Sequence, residues 1–174
     1  MKHAGGDWQV QKIGKPLDRF DIALLNLLQA DNLATAETLA ASVPLSPSAI
    51  TRRLRRLREQ GLIAQDVAVL SPALIERRLR AVVHVQLQEH AEDGVIARLR
   101  TRLRDLPEVQ LCFETAGTID LLAVVVTRDM PAFNAFADRV FGSDPAVRRY
   151  ETSFVKREIK NSRAVPLDER DISG

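Results

Sequence analysis

Five arginines, Arg52, Arg53, Arg55, Arg56 and Arg58, fall within one short run between Ile50 and Gly61, and this is the densest concentration of functional side chains in the 174-residue chain. A guanidinium keeps its charge at any working pH, and its planar fork of N–H donors matches a phosphate or the O6 and N7 edge of guanine. The run carries its own helix signals. Ser46 is a capping residue, Pro47 suits the first helical position, and Gly61 is the residue that most easily ends a helix in the left-handed conformation. Ile50, Leu54 and Leu57 recur at helical spacing and must face a core. At about 100° per residue, the opposite face holds Ser48, Arg52, Arg55, Arg56 and Glu59, with Arg53 and Arg58 on its flanks. Such a face is either a solvated basic surface or a surface that meets nucleic acid, and its neighbours decide between the two.

Other chemistries have little support. His3, His84 and His90 lack metal-ligand spacing, and no nucleophile motif or phosphate-cradling glycine loop is present. No catalytic residue, metal site or cofactor is expected. The single cysteine, Cys112, rules out an internal disulfide and a zinc ribbon, and its place in the apolar run 109–113 predicts a buried, inert thiol. The composition is 45% hydrophobic and 28% charged with a net charge of +2, so local arginine density, not overall charge, must argue for nucleic acid. No apolar run approaches the roughly 20 residues of a membrane span, and Lys2 has no apolar signal core behind it, which predicts a cytoplasmic protein with no membrane partner.

The elements around the arginine run favour the nucleic-acid reading. Residues 1–16 contain Gly5, Gly6, Gly14 and Pro16 without periodicity and predict a flexible arm, with Trp8 unassigned. Asp18 and Asp21 open a first helix with an apolar stripe of Ile22, Leu25 and Leu28, and Thr35 caps a short second helix carrying Leu39, Ala40 and Val43. Three helices, the last two joined by a few residues, form a helix-turn-helix domain over 17–62 whose third helix would enter a DNA groove. Residues 63–78 read as a wing or linker strand and a basic connector, Glu76-Arg77-Arg78. Over 79–161 the pattern runs strand, helix, strand, strand, helix, strand: an α+β, ferredoxin-like domain with an antiparallel sheet and helices on one face. The strand around Leu121, Leu122, Ala123, Val124, Val125 and Val126 is apolar on both faces, so the open face predicts dimerisation. The polar tail 162–174 is expected to be disordered or draped.

These pieces resemble the Lrp/AsnC, or feast/famine, transcription regulators. The resemblance rests on Leu17-Asp18 with Asp21, Leu45-Ser46-Pro47-Ser48, Arg52 to Leu57, and Gly61-Leu62-Ile63. The second half adds Ala116-Gly117-Thr118-Ile119-Asp120-Leu121-Leu122, Asp129-Met130 and Thr152-Ser153-Phe154-Val155. It implies a winged helix-turn-helix that binds double-stranded DNA, with Ser46, Ser48, Thr51, Arg52, Arg55 and Arg56 as the DNA-facing candidates. It further implies homodimers assembling to octamers, with a small effector, usually an amino acid, between dimers. The effector candidates carried over are Gly117, Thr118, Asp120, Met130, Ser153, Phe154 and Val155. Thr118 stands where the family often has an acidic residue and Leu121 where it often has an aromatic. Asp120 is left to meet a ligand ammonium or, alternatively, only to tie the turn before its strand. Two other functions stay open: an architectural DNA-binding protein without effector, and an enzyme like the sirohaem decarboxylases, whose paired histidines are replaced here by Leu70-Ser71-Pro72-Ala73-Leu74.

Overall fold

The computed structural model describes residues 16–172, so the arm and Trp8 lie, Pro16 apart, outside the described residues. The chain forms two compact units. Among the described residues, one runs Val69–Ile159, and the other joins residues 16–68 with residues 160–172.

The helical unit begins with α1 (Arg19–Ala30), α2 (Ala36–Ala40) and α3 (Pro47–Glu59). Local chemistry starts each helix. The Asp18 carboxylate accepts from the amides of Phe20 and Asp21, and the Asp21 carboxylate accepts from the Asp18 amide at 3.1 Å, a reciprocal capping box. Thr35 caps α2 through the Thr38 amide, and Ser46 caps α3 through the Ala49 amide with Pro47 at the first position. Gly61, at φ 71°, ends α3: the Leu62 amide returns to the Leu57 carbonyl and the Gly61 amide to that of Arg58. That hydrogen-bond pair is the Schellman arrangement, which a side chain at Gly61 would strain.

Leu24, Leu28, Leu39, Val43 and Ile50 form one core of this unit; Leu17, Ile22, Leu25 and Leu57 form a second. The tail contributes to the second core. Leu167 and Ile172 pack against it, and residues 169–172 make a 3₁₀ turn. Residues 64–71, expected as a wing or linker strand, carry no regular secondary structure, and the short α4 (Pro72–Ile75) precedes the basic connector.

The sheet unit contains β1 (Leu79–Leu87), α5 (Asp93–Asp105), β2 (Val109–Glu114), β3 (Leu121–Thr127), α6 (Met130–Ala137) and β4 (Val147–Phe154). The four strands pair antiparallel in the order β2-β3-β1-β4. Period-two burial sends Ala81, Val83, Val85, Leu121, Ala123 and Val125 inward, where Leu99 and Leu103 of α5 and Phe133, Phe136 and Ala137 of α6 cover them. Past Ala137, α6 widens into a π turn, Asp138–Gly142, that still buries Val140 and Phe141. The other face of the sheet presents Val82, His84, Leu122, Val124 and Val126, all half-buried, and Phe113, 53% exposed.

Cys112 corrects one expectation, because it is exposed rather than buried. It sits on edge strand β2, whose pairing shifts between Val109 and Leu111, and its neighbours Phe113 and Glu114 are exposed with it. An apolar run on an edge strand lacks the second neighbour that would enclose it. Partial desolvation of the sulfur, followed by the Glu114 charge, still pushes the thiol pKa up.

Candidate nucleic-acid interface and effector site

The capping and packing of α3 sort its polar side chains into two groups. Ser46, Ser48, Thr51, Arg52 and Arg55 are all exposed. Ser46 and Ser48 share a hydroxyl hydrogen bond of 3.1 Å, and the Thr51 hydroxyl donates to the Pro47 carbonyl. Arg55 is 3.8 Å from Glu59, both on the surface, a pairing too loose and too solvated to hold the guanidinium. These five form a donor-rich strip along the first turns of the helix.

Arg56 does not join them as expected. Its Nη2 donates to Asp21 Oδ2 at 2.5 Å, and Asp21 is completely buried. Arg53 donates to Asp18 at 2.7 Å and to Asp21 at 2.8 Å, and its guanidinium lies 5.6 Å from the Phe20 ring centroid. The reason is electrostatic. A buried carboxylate is costly unless paired, and the two arginines nearest the α1 terminus neutralise it. Partial burial raises the Asp18 pKa, but the Asp21 amide and the Arg53 guanidinium outweigh this and hold the carboxyl below its ordinary value. In Arg53, desolvation is likewise outweighed by the two carboxylates, and its pKa is raised. Arg58 is paired too, to Asp66 at 3.1 Å. The Asp18–Asp21–Arg53–Arg56 clamp is not visible along the sequence, where the two aspartates read only as a cap and a first-turn charge. A residue that both completes a capping box and faces a helix rich in arginine is the signal that points to it.

The effector candidates divide as well. Near one end of the sheet, the Asp120 amide donates to the Val85 carbonyl, and its Oδ2 accepts from the Leu87 amide at 2.7 Å. The Thr118 carbonyl accepts from Gln86 there, and Gly117 has φ 155° with open space where a side chain would stand. At the other end, Phe154 pairs opposite Ala81 and meets Phe133 edge-on at 5.2 Å, Ser153 lies opposite Val82, and the Val155 amide donates to the Arg80 carbonyl. Met130 opens α6 at that same end and is 42% exposed; Asp129 caps the helix through the Ala132 amide, the main cause of its lowered pKa. From Ala81 to Leu87 β1 advances six residues, about 20 Å at roughly 3.3 Å per residue. One chain therefore holds two separated clusters rather than one pocket. Asp120 ties the turn, with acceptor capacity left on its carboxylate.

A three-helix unit with an exposed basic strip, joined to a ferredoxin-like sheet unit, is the architecture of a helix-turn-helix DNA-binding regulator. Residues 17–58 match the AsnC-type helix-turn-helix domain, and residues 80–165 match the Lrp/AsnC ligand binding domain. The leucine-responsive regulatory protein of Escherichia coli is 32% identical over 90% of this chain and 95% of its own length. The HTH-type regulator y4tD of Sinorhizobium fredii is 35% identical over 91% of this chain and 94% of its own. Regulator NMB0573 of Neisseria meningitidis, whose crystal structure is that of its L-Met complex, superposes with a TM-score of 0.79 at 35% identity, covering 87% of this chain and 97% of that one. The chain belongs to the Lrp/AsnC family of transcriptional regulators. These relatives are regulators, not enzymes.

Proposed function

We propose that this protein is a cytoplasmic, sequence-specific regulator that grips double-stranded DNA with Ser46, Ser48, Thr51, Arg52 and Arg55. Arg56 supports that strip from behind through Asp21. Two copies join through the open sheet face of Val82, Leu122, Val124 and Phe113, and dimers assemble further, toward an octamer. A dimer sets two α3 helices on one face of the duplex, about 10 base pairs or a multiple apart. The effector is a free amino acid bound between subunits. The observation that supports this is the split of the seven candidate residues into clusters about 20 Å apart: a site composed of both needs one cluster from each of two copies. Asp120 then supplies the acceptor for the ammonium group, and Met130 and Phe154 the apolar wall.

A melting and sedimentation screen with free amino acids tests this reading. L-methionine is the first probe, because the Neisseria relative was solved with it. A ligand held at about 100 times its Kd adds about 2.7 kcal/mol of stability. The expected result is a raised Tm together with a changed sedimentation coefficient for at least one amino acid. No shift with any of them refutes the amino-acid effector and leaves an architectural DNA-binding role.

A further inference from the structure

The tail is built into the DNA-binding unit by groups that fit an extended peptide. The Asn26 side chain donates to the Leu167 carbonyl at 2.9 Å and accepts from the Leu167 amide at 3.1 Å. One turn later, Gln29 donates to the Val165 carbonyl at 2.9 Å and accepts from the Val165 amide at 2.7 Å. Two carboxamides at i and i+3 thus grip alternate residues of the tail, each with the reciprocal donor and acceptor pair that a neighbouring β-strand offers. Beyond this grip, Leu167 and Ile172 pack against Leu17, Ile22 and Leu25 of the α1 region and against Leu57 of α3. Leu57 sits one residue past Arg56 and leads into the Gly61 terminus, so the tail closes the core that holds the carboxy-terminal half of α3.

The helical unit is consequently discontinuous in sequence, with the sheet unit inserted between its two pieces. Among the described residues, two covalent links join the units: one after Ala68 and one leaving β4 toward Lys160. The second begins at the Ser153–Val155 segment, at the end of the sheet that also carries Met130.

We propose that residues 163–172 are a docked strap that connects the end of β4 to the α1–α3 pair, so that a change at the β4 end alters how firmly α3 is held for DNA. The grip suits such a strap. Hydrogen bonds to an exposed Gln29 and a part-buried Asn26, with two apolar anchors, are strong enough to order the segment and weak enough to release it.

DNA affinity and amide hydrogen exchange in the full chain and five variants decide the matter. A chain ending at Ile159, and independently the full-length Asn26→Ala/Gln29→Ala protein, should show faster exchange along α1 and the last turn of α3. Each should bind DNA at least tenfold more weakly, and a synthetic peptide of residues 160–174 should restore the truncated chain. Unchanged exchange and affinity in both variants overturn the strap. A third variant inserts five Gly/Ser residues after Lys160, which leaves the docking groups intact but slackens the link. In the uninterrupted chain Phe154→Ala should change DNA affinity several-fold; with the slack linker it should have no effect. If Phe154→Ala is silent in the uninterrupted chain, or acts equally in both, the strap is a passive part of the core and the tether is refuted.

Discussion

Removing the Asp21 carboxylate tests the clamp most directly. Asp21 has no exposed surface and accepts from Arg56 at 2.5 Å, from Arg53 at 2.8 Å and from the Asp18 amide at 3.1 Å. Breaking a buried ion pair by deleting one partner costs about 3–5 kcal/mol. Two features reduce that figure here: Arg53 keeps Asp18 at 2.7 Å, and the Arg56 side chain, 22% exposed, has some access to water. Loss of the capping box adds about 0.5–1 kcal/mol. Asp21→Ala should therefore destabilise the helical unit by about 2–4 kcal/mol, a large part of the roughly 5 kcal/mol that a unit of this size possesses. That corresponds to a Tm lower by roughly 10–25 °C. Urea unfolding followed by circular dichroism, with exchange at the α1 amides as the local readout, measures it. In a double-mutant cycle with Arg56→Met, the pair should couple by about 1–3 kcal/mol. A loss below about 1 kcal/mol, or strict additivity, would show that the guanidinium is not held by the carboxylate, and the reasoning that removes Arg56 from the exposed face would fail with it.

The same division of α3 has a binding consequence. Arg52→Ala should cost about 1–3 kcal/mol at a site recovered by selection from random duplexes and relax base preference there, whereas Arg56→Ala should lower stability and leave the salt slope of binding unchanged; anisotropy titrations at several salt concentrations separate the two, and a slope reduced by about 1 in Arg56→Ala would make it a phosphate contact after all. Acid stability should depend on Asp18: its pKa is lowered in the fold, so its contribution is complete above the ordinary carboxylate value of 3.8 and is lost as the pH falls through the lowered value. Acid titration of Asp18→Asn should accordingly lose the part of the helical unit's stability that falls away below that ordinary value, and an unaltered titration curve would exclude Asp18 as a contributor.

Much of this molecule is legible in one dimension because its signals are local. A cap acts on amides two or three residues away, so Asp18, Thr35, Ser46 and Gly61 mark helix ends wherever the helices finally pack. Period-two and helical repeats assign inward faces in the same way, and the βαββαβ order follows from them. The candidate sites are less legible, because each depends on what lies across from a residue. Helical periodicity puts Arg52 and Arg56 on one face, and only the approach of α1 turns Arg56 toward a buried carboxylate. Edge position, not the apolar run around it, exposes Cys112. Strand register sets Asp120 about 20 Å from Phe154, a separation no spacing along the chain reveals. The tail, polar and aperiodic, looks structureless because its partners Asn26 and Gln29 stand at the far end of the sequence, and backbone groups that pair with distant side chains leave no periodic trace. Composition and local chemistry thus determine the elements and the family. The tertiary fold decides which charges are neutralised within the protein and which remain exposed for DNA, since a long-range ion pair is a property of two surfaces meeting and not of either sequence alone.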